Sequence, residues 1–274
     1  MRVIKLFLTI SLLGSYNNFS LASDAVEFCH EGSESCTFVL LSEFNQNTNS
    51  VKSNISSINE NRANTPLSPF STFKIANSLI ALDSGVIKNT KQALTYDENT
   101  YPKQTWWPPV WQLPHYDLTT AFKYSMVAIY RQLSKDIGER SMISYLNRMH
   151  YGNEDISSGL DSFWLNASMK ISAVEQVRFL QKTYHNQFAF NEQVIDDLKE
   201  IMLVENKENY RLFAKTGAGR VDNGTMLGWY VGFVENSVGV HFFAFNFDSR
   251  NYAEMKANRI KVAKEHLKVA GIID

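Results

Sequence analysis

Residues 212–247 read LFAKTGAGRVDNGTMLGWYVGFVENSVGVHFFAFNF. Three runs within them, 212–215, 228–235 and 238–247, are apolar or rich in β-branched and aromatic residues, and short turns part them, which predicts an antiparallel meander. An amphipathic helix over 254–270, closed by Gly271, follows. At the other end of the chain, residues 36–42 repeat the strand pattern, and the Asn- and Ser-rich stretch 45–64 predicts a hairpin and loop running to Pro66 and Pro69. Helical periodicity fills the middle: 72–82, 118–133, 140–149, then 173–184, where Ser172 and Glu175 supply a capping box, and a helix after Asn191 to about residue 204. Strands at both ends with helices between them predict an α+β fold: one antiparallel sheet built from both termini and flanked by helices, with a helical lobe inserted.

The first 22 residues carry Arg2 and Lys5, an apolar run over 6–13, and Ser20 and Ala22 at signal-peptidase spacing. The run is far short of the ~20 residues of a membrane span, so it predicts a cleaved secretory signal and a periplasmic or secreted protein without a membrane anchor. Residues 23–274 then form one catalytic domain, large enough to bury a substantial core. Without Arg2 and Lys5 the 27 basic side chains become 25 against 28 acidic ones, a formal charge of −3 that gives no footing for nucleic acid. Cys29 and Cys36 lie seven apart. Export permits a bridge between them, and a buried free thiol at the head of a strand is an equal alternative. The six histidines show no metal-ligand spacing, so neither a metal nor another cofactor is expected.

Two short motifs carry chemistry. Ser71-Thr72-Phe73-Lys74 opens the helix over 72–82, and residues at i and i+3 share a helix face, so a hydroxyl stands beside an amine able to take its proton. At a first turn, the free N–H groups and the positive end of the helix dipole favour developing negative charge. SxxK alone arises about once by chance in a chain of this length, and an N-cap serine with a surface lysine would produce it. Lys215-Thr216-Gly217, at the end of a predicted strand, is more specific. Lysine and threonine there suit an acidic substrate, and Gly217 would let an extended substrate backbone approach. The stretch Trp106-Trp107-Pro108-Pro109-Val110-Trp111 cannot be a regular helix; it is a loop that walls a ligand pocket or covers core.

With Ser125-Met126-Val127, Tyr151-Gly152-Asn153, Trp164-Leu165 and Gly228-Trp229-Tyr230-Val231-Gly232 in that order, these motifs resemble the class D β-lactamases, the oxacillinases, over essentially the whole mature chain. The resemblance implies hydrolysis of penicillin-type β-lactams through an acyl-enzyme on Ser71. It implies that Lys74 reacts with carbon dioxide to give an N-carboxylated lysine, the general base of both half-reactions. Val127, where relatives outside the class carry asparagine, removes a polar neighbour and lowers the lysine pKa, leaving the neutral amine that reaction needs.

The resemblance further implies that Ser125, on the 118–133 helix, relays a proton to the departing nitrogen, and that the N–H groups of Ser71 and Ala218 hold the oxyanion. Trp164 would donate to the carboxylated lysine, whereas the residue taken without the resemblance favours a core tryptophan. Lys215, Thr216 and Arg259 would hold the substrate carboxylate, with Arg250 as the alternative arginine, while Gly217, Val127, Leu165 and Trp111 complete the binding site. Tyr151-Gly152-Asn153 is architecture. Ala218 and Gly219 stand where the family often has a bulky aromatic, which leaves the substrate spectrum open. The partner is a small β-lactam and the protein a monomer or homodimer. The alternatives are a β-lactam sensor domain and a penicillin-binding transpeptidase, both of which acylate without efficient turnover.

Overall fold

The computed structural model describes residues 28–44, 52–165 and 167–274; the predicted signal, residues 1–22, lies outside them. Six strands, β1 (Cys36–Phe44), β2 (Lys52–Ser57), β3 (Leu203–Asn206), β4 (Tyr210–Arg220), β5 (Met226–Asn236) and β6 (Gly239–Ser249), form one sheet in the order β2-β1-β6-β5-β4-β3. Every pairing is antiparallel. The β1–β6 ladder, from Cys36 opposite Phe247 to Phe44 opposite Gly239, joins the two ends of the chain. The sheet built from both termini is therefore as expected.

Helices α1 (Glu60–Ala63), α2 (Lys74–Asp83), α3 (Leu118–Lys123), α4 (Val127–Ile137), α5 (Glu139–Met149), α6 (Ala173–Tyr184) and α7 (Glu192–Met202) come between β2 and β3, and α8 (Tyr252–Val269) closes the chain. Strands β5 and β6 are buried along nearly their whole length because both faces are covered. Trp229, Val231 and Phe233 point into the core shared with the helical lobe; Tyr230 and Val234 point the other way, to Met255, Val262 and Leu267 of α8. Each such side chain contributes about 1.5–3 kcal/mol of burial. The period-two alternation thus feeds two cores from one strand.

Two local expectations change, and one open alternative is decided. The helix over 118–133 is two helices, because Ser125 adopts φ 56°. Its N–H donates to Phe122 O at 3.1 Å and that of Met126 to Ala121 O at 2.9 Å, the paired bonds of a Schellman ending with serine where glycine is usual. The helix after Asn191 stops at Met202, and Leu203 begins the edge strand β3. Cys29 and Cys36 are joined as a disulfide, which tethers the segment ahead of β1.

Candidate active site

Ser71 lies in a short 3-10 turn, Phe70–Phe73, immediately ahead of α2 rather than in the α-helix itself. Side chains at i and i+3 eclipse in a 3-10 turn. Lys74, the first residue of α2, accordingly brings Nζ to 3.0 Å from Ser71 Oγ. The turn is fixed from several sides. Phe70, at φ 47°, donates its N–H to Trp164 O at 3.0 Å, and Trp229 Nε1 donates to Ser68 O at 3.0 Å. A left-handed non-glycine residue costs on the order of 1–2 kcal/mol, so these contacts hold the nucleophile turn in a conformation the local sequence disfavours.

Lys74 is fully buried. Its Nζ sits 4.9 Å from the centre of the Tyr130 ring, and desolvation lowers its pKa from 10.5 to about 7. Half of the amine is then neutral near pH 7. The indole of Trp164, also fully buried, stacks on Phe73 at 5.2 Å between ring centres. Its Nε1 has no hydrogen-bond partner among the described residues. A buried donor left unpaired costs about 1–3 kcal/mol, so an anion accepting from this N–H would supply the hydrogen bond it lacks.

The left-handed conformation of Ser125 turns its hydroxyl to the Lys215 amine, with which it forms a short hydrogen bond. Lys215 also donates to Thr216 O at 3.0 Å and is 4% exposed. Burial, then the neighbouring charges of Lys74 and Arg259, push its pKa well down. Its amine is thus engaged with the Ser125 hydroxyl and the main chain of Thr216. Thr216, next along the strand, does face the cleft, and so does Arg259, whose Nη1 donates to Gly217 O at 3.4 Å. Arg250, the alternative, pairs with Glu254 at 3.3 Å on the exposed surface.

The nucleophile turn approaches Gly217 closely. A Cβ there would stand 2.9 Å from Pro69 O and 3.0 Å from Thr72 Cγ2. Glycine thus lets β4 press against the nucleophile turn. One step on, a Cβ at Gly219 would fall inside the Phe70 ring, 1.9 Å from its nearest carbon. Strand β3 pairs with β4 only as far as Phe213, so the motif stretch is left as an open edge against this turn.

The cleft encloses about 760 Å³. Of the polar candidates, Ser71, Ser125, Thr216 and Arg259 line it; of the apolar ones, Val127, Leu165, Ala218 and Trp111 do. Lys74, Trp164, Lys215 and Gly217 are packed beneath or behind that surface. The Trp loop walls the cleft, its Trp111 held by a 2.7 Å bond from Nε1 to Tyr124 O. Tyr151 is wholly buried and packs on Phe73 at 5.5 Å, architecture as expected. Sequence reasoning missed Tyr130 beneath Lys74 and Gln176, whose Nε2 holds Thr72 Oγ1 at 2.8 Å. Helical periodicity marks both as inward-facing but gives no sign of what they meet. Among the described residues no group of three or more His, Cys, Asp or Glu side chains could hold a metal, and no helix is long and apolar enough to cross a membrane.

Residues 38–268 match the penicillin-binding protein transpeptidase domain family. Within that broad group, the chain is 42% identical over 216 residues to β-lactamase OXA-48 of Klebsiella pneumoniae, covering 78% of each chain. It is 36% identical over 198 residues to β-lactamase OXA-10 of Pseudomonas aeruginosa, covering 71% of each. The class D β-lactamase FUS-1 (OXA-85) of Fusobacterium nucleatum subsp. polymorphum superposes with a TM-score of 0.77 at 30% identity, over 87% of this chain and 93% of that one. The chain belongs to the class D β-lactamases, serine hydrolases that open the β-lactam ring.

Proposed function

We propose that Ser71 is the nucleophile of this hydrolysis and that Lys74, in N-carboxylated form, is the general base for both half-reactions. The observation that carries this is the 3.0 Å approach of Ser71 Oγ to a fully buried lysine whose pKa has fallen to about 7. A neutral amine attacks the carbon of carbon dioxide, forms an N–C bond and releases a proton, leaving an anion. The unpaired Trp164 Nε1 supports the fit of that anion. Lys74 so modified takes the Ser71 proton as Oγ attacks the lactam carbonyl. Ser71 and Ala218 supply main-chain N–H groups to the oxyanion, and Ser125, polarised by Lys215, passes a proton to the departing nitrogen. Lys74 then activates the water that releases the product.

Thr216 and Arg259 hold the ring carboxylate, with Val127, Leu165 and Trp111 around the apolar body of the substrate. Export to the periplasm or medium after loss of residues 1–22 is part of the same proposal, supported by the signal-like sequence and by the Cys29–Cys36 bridge, which suits an oxidising compartment. The test is a time course with a chromogenic penicillin in large excess, beside intact-mass spectra of the wild type and Ser71→Ala. Many turnovers and an adduct absent from Ser71→Ala are expected. One stoichiometric burst would make the chain a sensor or transpeptidase, and an adduct on Ser71→Ala would remove Ser71 from the role.

A further inference from the structure

Two cations that line the cleft, Arg220 and Lys256, have no part in the reaction derived above. On α8, Tyr252, Lys256 and Arg259 stand at i, i+4 and i+7, one face of the helix. On β4, Thr216, Ala218 and Arg220 alternate onto one face of the strand. Both faces front the same cleft, so the Thr216 and Arg259 pair at its inner end is continued outward by Arg220 and Lys256. None of the side chains lining the cleft is acidic. Two nearby carboxylates are paired elsewhere: Glu254 with Arg250 and Asp248 with Arg62. No lining carboxylate meets the charge at the mouth, and Arg220 Nη1 donates to the main-chain oxygen of Gly224.

Two aromatic side chains share this mouth. Trp106 is 67% exposed and Tyr252 56%, although both are large and apolar enough to favour cover. Trp106 is held in place by edge contacts to Trp107 and Trp111 at 6.4 and 5.7 Å. Lys256 lies one helical turn from Arg259, about 5 Å along the axis. Arg220 lies four residues beyond Thr216, roughly 13 Å along the strand. One arene spans the step from the ring carboxylate to Lys256; Arg220 stands farther out along the strand and comes within reach only through its own long side chain.

We infer that the outer cleft is a subsite for a second anion. Its ligand is a β-lactam whose ring carboxylate lies at Thr216 and Arg259 and whose substituent on the adjacent ring carbon ends in an aromatic acid. The inference rests on the functional reading above and adds the substrate class that this chain favours. The arene covers Trp106 and Tyr252, and the acid meets Lys256 and Arg220, the latter giving up the bond that its Nη1 donates to Gly224 O.

The experiment uses two cephalosporins that differ only at that ring carbon, one carrying a benzoate and the other its primary amide, with kcat/KM measured at low ionic strength. The wild type should prefer the benzoate by roughly tenfold, expressed in KM, the scale of two partly exposed ion pairs. Arg220→Gln/Lys256→Gln should abolish the preference, and Lys256→Glu should reverse it; thermal unfolding checks that both variants are folded. A third cephalosporin, with the acid on the acylamino side chain instead, should show no change in relative rate among the three proteins. An acid-to-amide ratio equal in the wild type and the double variant overturns the subsite while leaving β-lactam hydrolysis standing. Failure of the wild type to turn over any of the three overturns the functional reading, and the subsite with it.

Discussion

At the inner end of the cleft Lys74 is fully buried and only desolvation moves its pKa, whereas at the outer end Lys256 stands in water. The two side chains are chemically identical. Burial removes several units of pKa from an amine, while an exposed charge gains or loses about 1 kcal/mol at most from its neighbours. One lysine is thereby fitted to give and take protons and the other to attract an anion at a distance. The aromatic surroundings follow the same division: Tyr130 and Trp164 exclude water from Lys74, and Trp106 and Tyr252 are left open beside Lys256.

The largest effect should come from removing the buried amine. Lys74→Ala and Lys74→Arg should each lower hydrolysis of penicillin by about 10²–10⁴, the range of a lost general base, since arginine keeps the charge but cannot become neutral. Lys74→Met should be as inactive yet unfold at higher temperature, with a gain of roughly 1–2 kcal/mol, because an apolar side chain replaces a fully buried amine whose lost hydration the bond to Ser71 Oγ offsets only in part. Calorimetry beside steady-state rates measures both. A Lys74→Met protein that is less stable than the wild type would mean that the amine is satisfied where it stands.

Trp164 comes next. Trp164→Phe keeps an aromatic ring against Phe73 while removing the N–H and some volume, and thermal unfolding measured beside it reports the packing part. Loss of that donor should slow deacylation by on the order of 2 kcal/mol, about thirtyfold, while acylation persists. Rapid-mixing kinetics would show a burst followed by a slow phase. Steady turnover at the wild-type rate in Trp164→Phe would make the indole a core residue alone.

Much of this division was legible in the chain and part of it was not. The meander of β4, β5 and β6 was readable because each strand is a long apolar or β-rich run, and the Ser172–Glu175 capping box marked the start of α6 to the residue. The break at Ser125 was hidden, since the residues on either side keep helical periodicity and the left-handed position carries serine rather than glycine. The surroundings of Gly217 and Lys215 were hidden too, because a sequence does not reveal that Pro69 O approaches the glycine or that Ser125 Oγ meets the lysine amine. Motifs identify which side chains matter; tertiary contacts decide what each one touches.

The pH response sharpens the inner half of the comparison. Lys74 is depressed from 10.5 to about 7, so between these values the unfolded chain binds more protons than the folded one and stability rises with pH through that window. Activity should move in the same direction. At pH 6, one unit below its pKa, about a tenth of the amine is neutral, and the carboxylated fraction and turnover should fall by up to roughly tenfold. Added bicarbonate should recover the loss on return to neutral pH. Identical recovery with and without bicarbonate would take the carboxylated lysine out of the mechanism.

The smallest effect belongs to the outer end and concerns salt. Exposed charges are screened over a Debye length of about 10 Å at 0.1 M and 3 Å at 1 M, whereas a buried group is scarcely screened. Raising ionic strength across that range should therefore reduce the advantage of the benzoate cephalosporin by about two- to fivefold, through KM, with kcat little changed. The pH profile assigned to Lys74 should stay in place over the same range, because desolvation and not a neighbouring charge sets its position. A benzoate preference that survives high salt would place it in shape and aromatic contact with Trp106 and Tyr252 rather than in charge. A pH profile that shifts with salt would show Lys74 to be coupled to solvent-exposed charges, and the contrast between the two ends of the cleft would no longer hold.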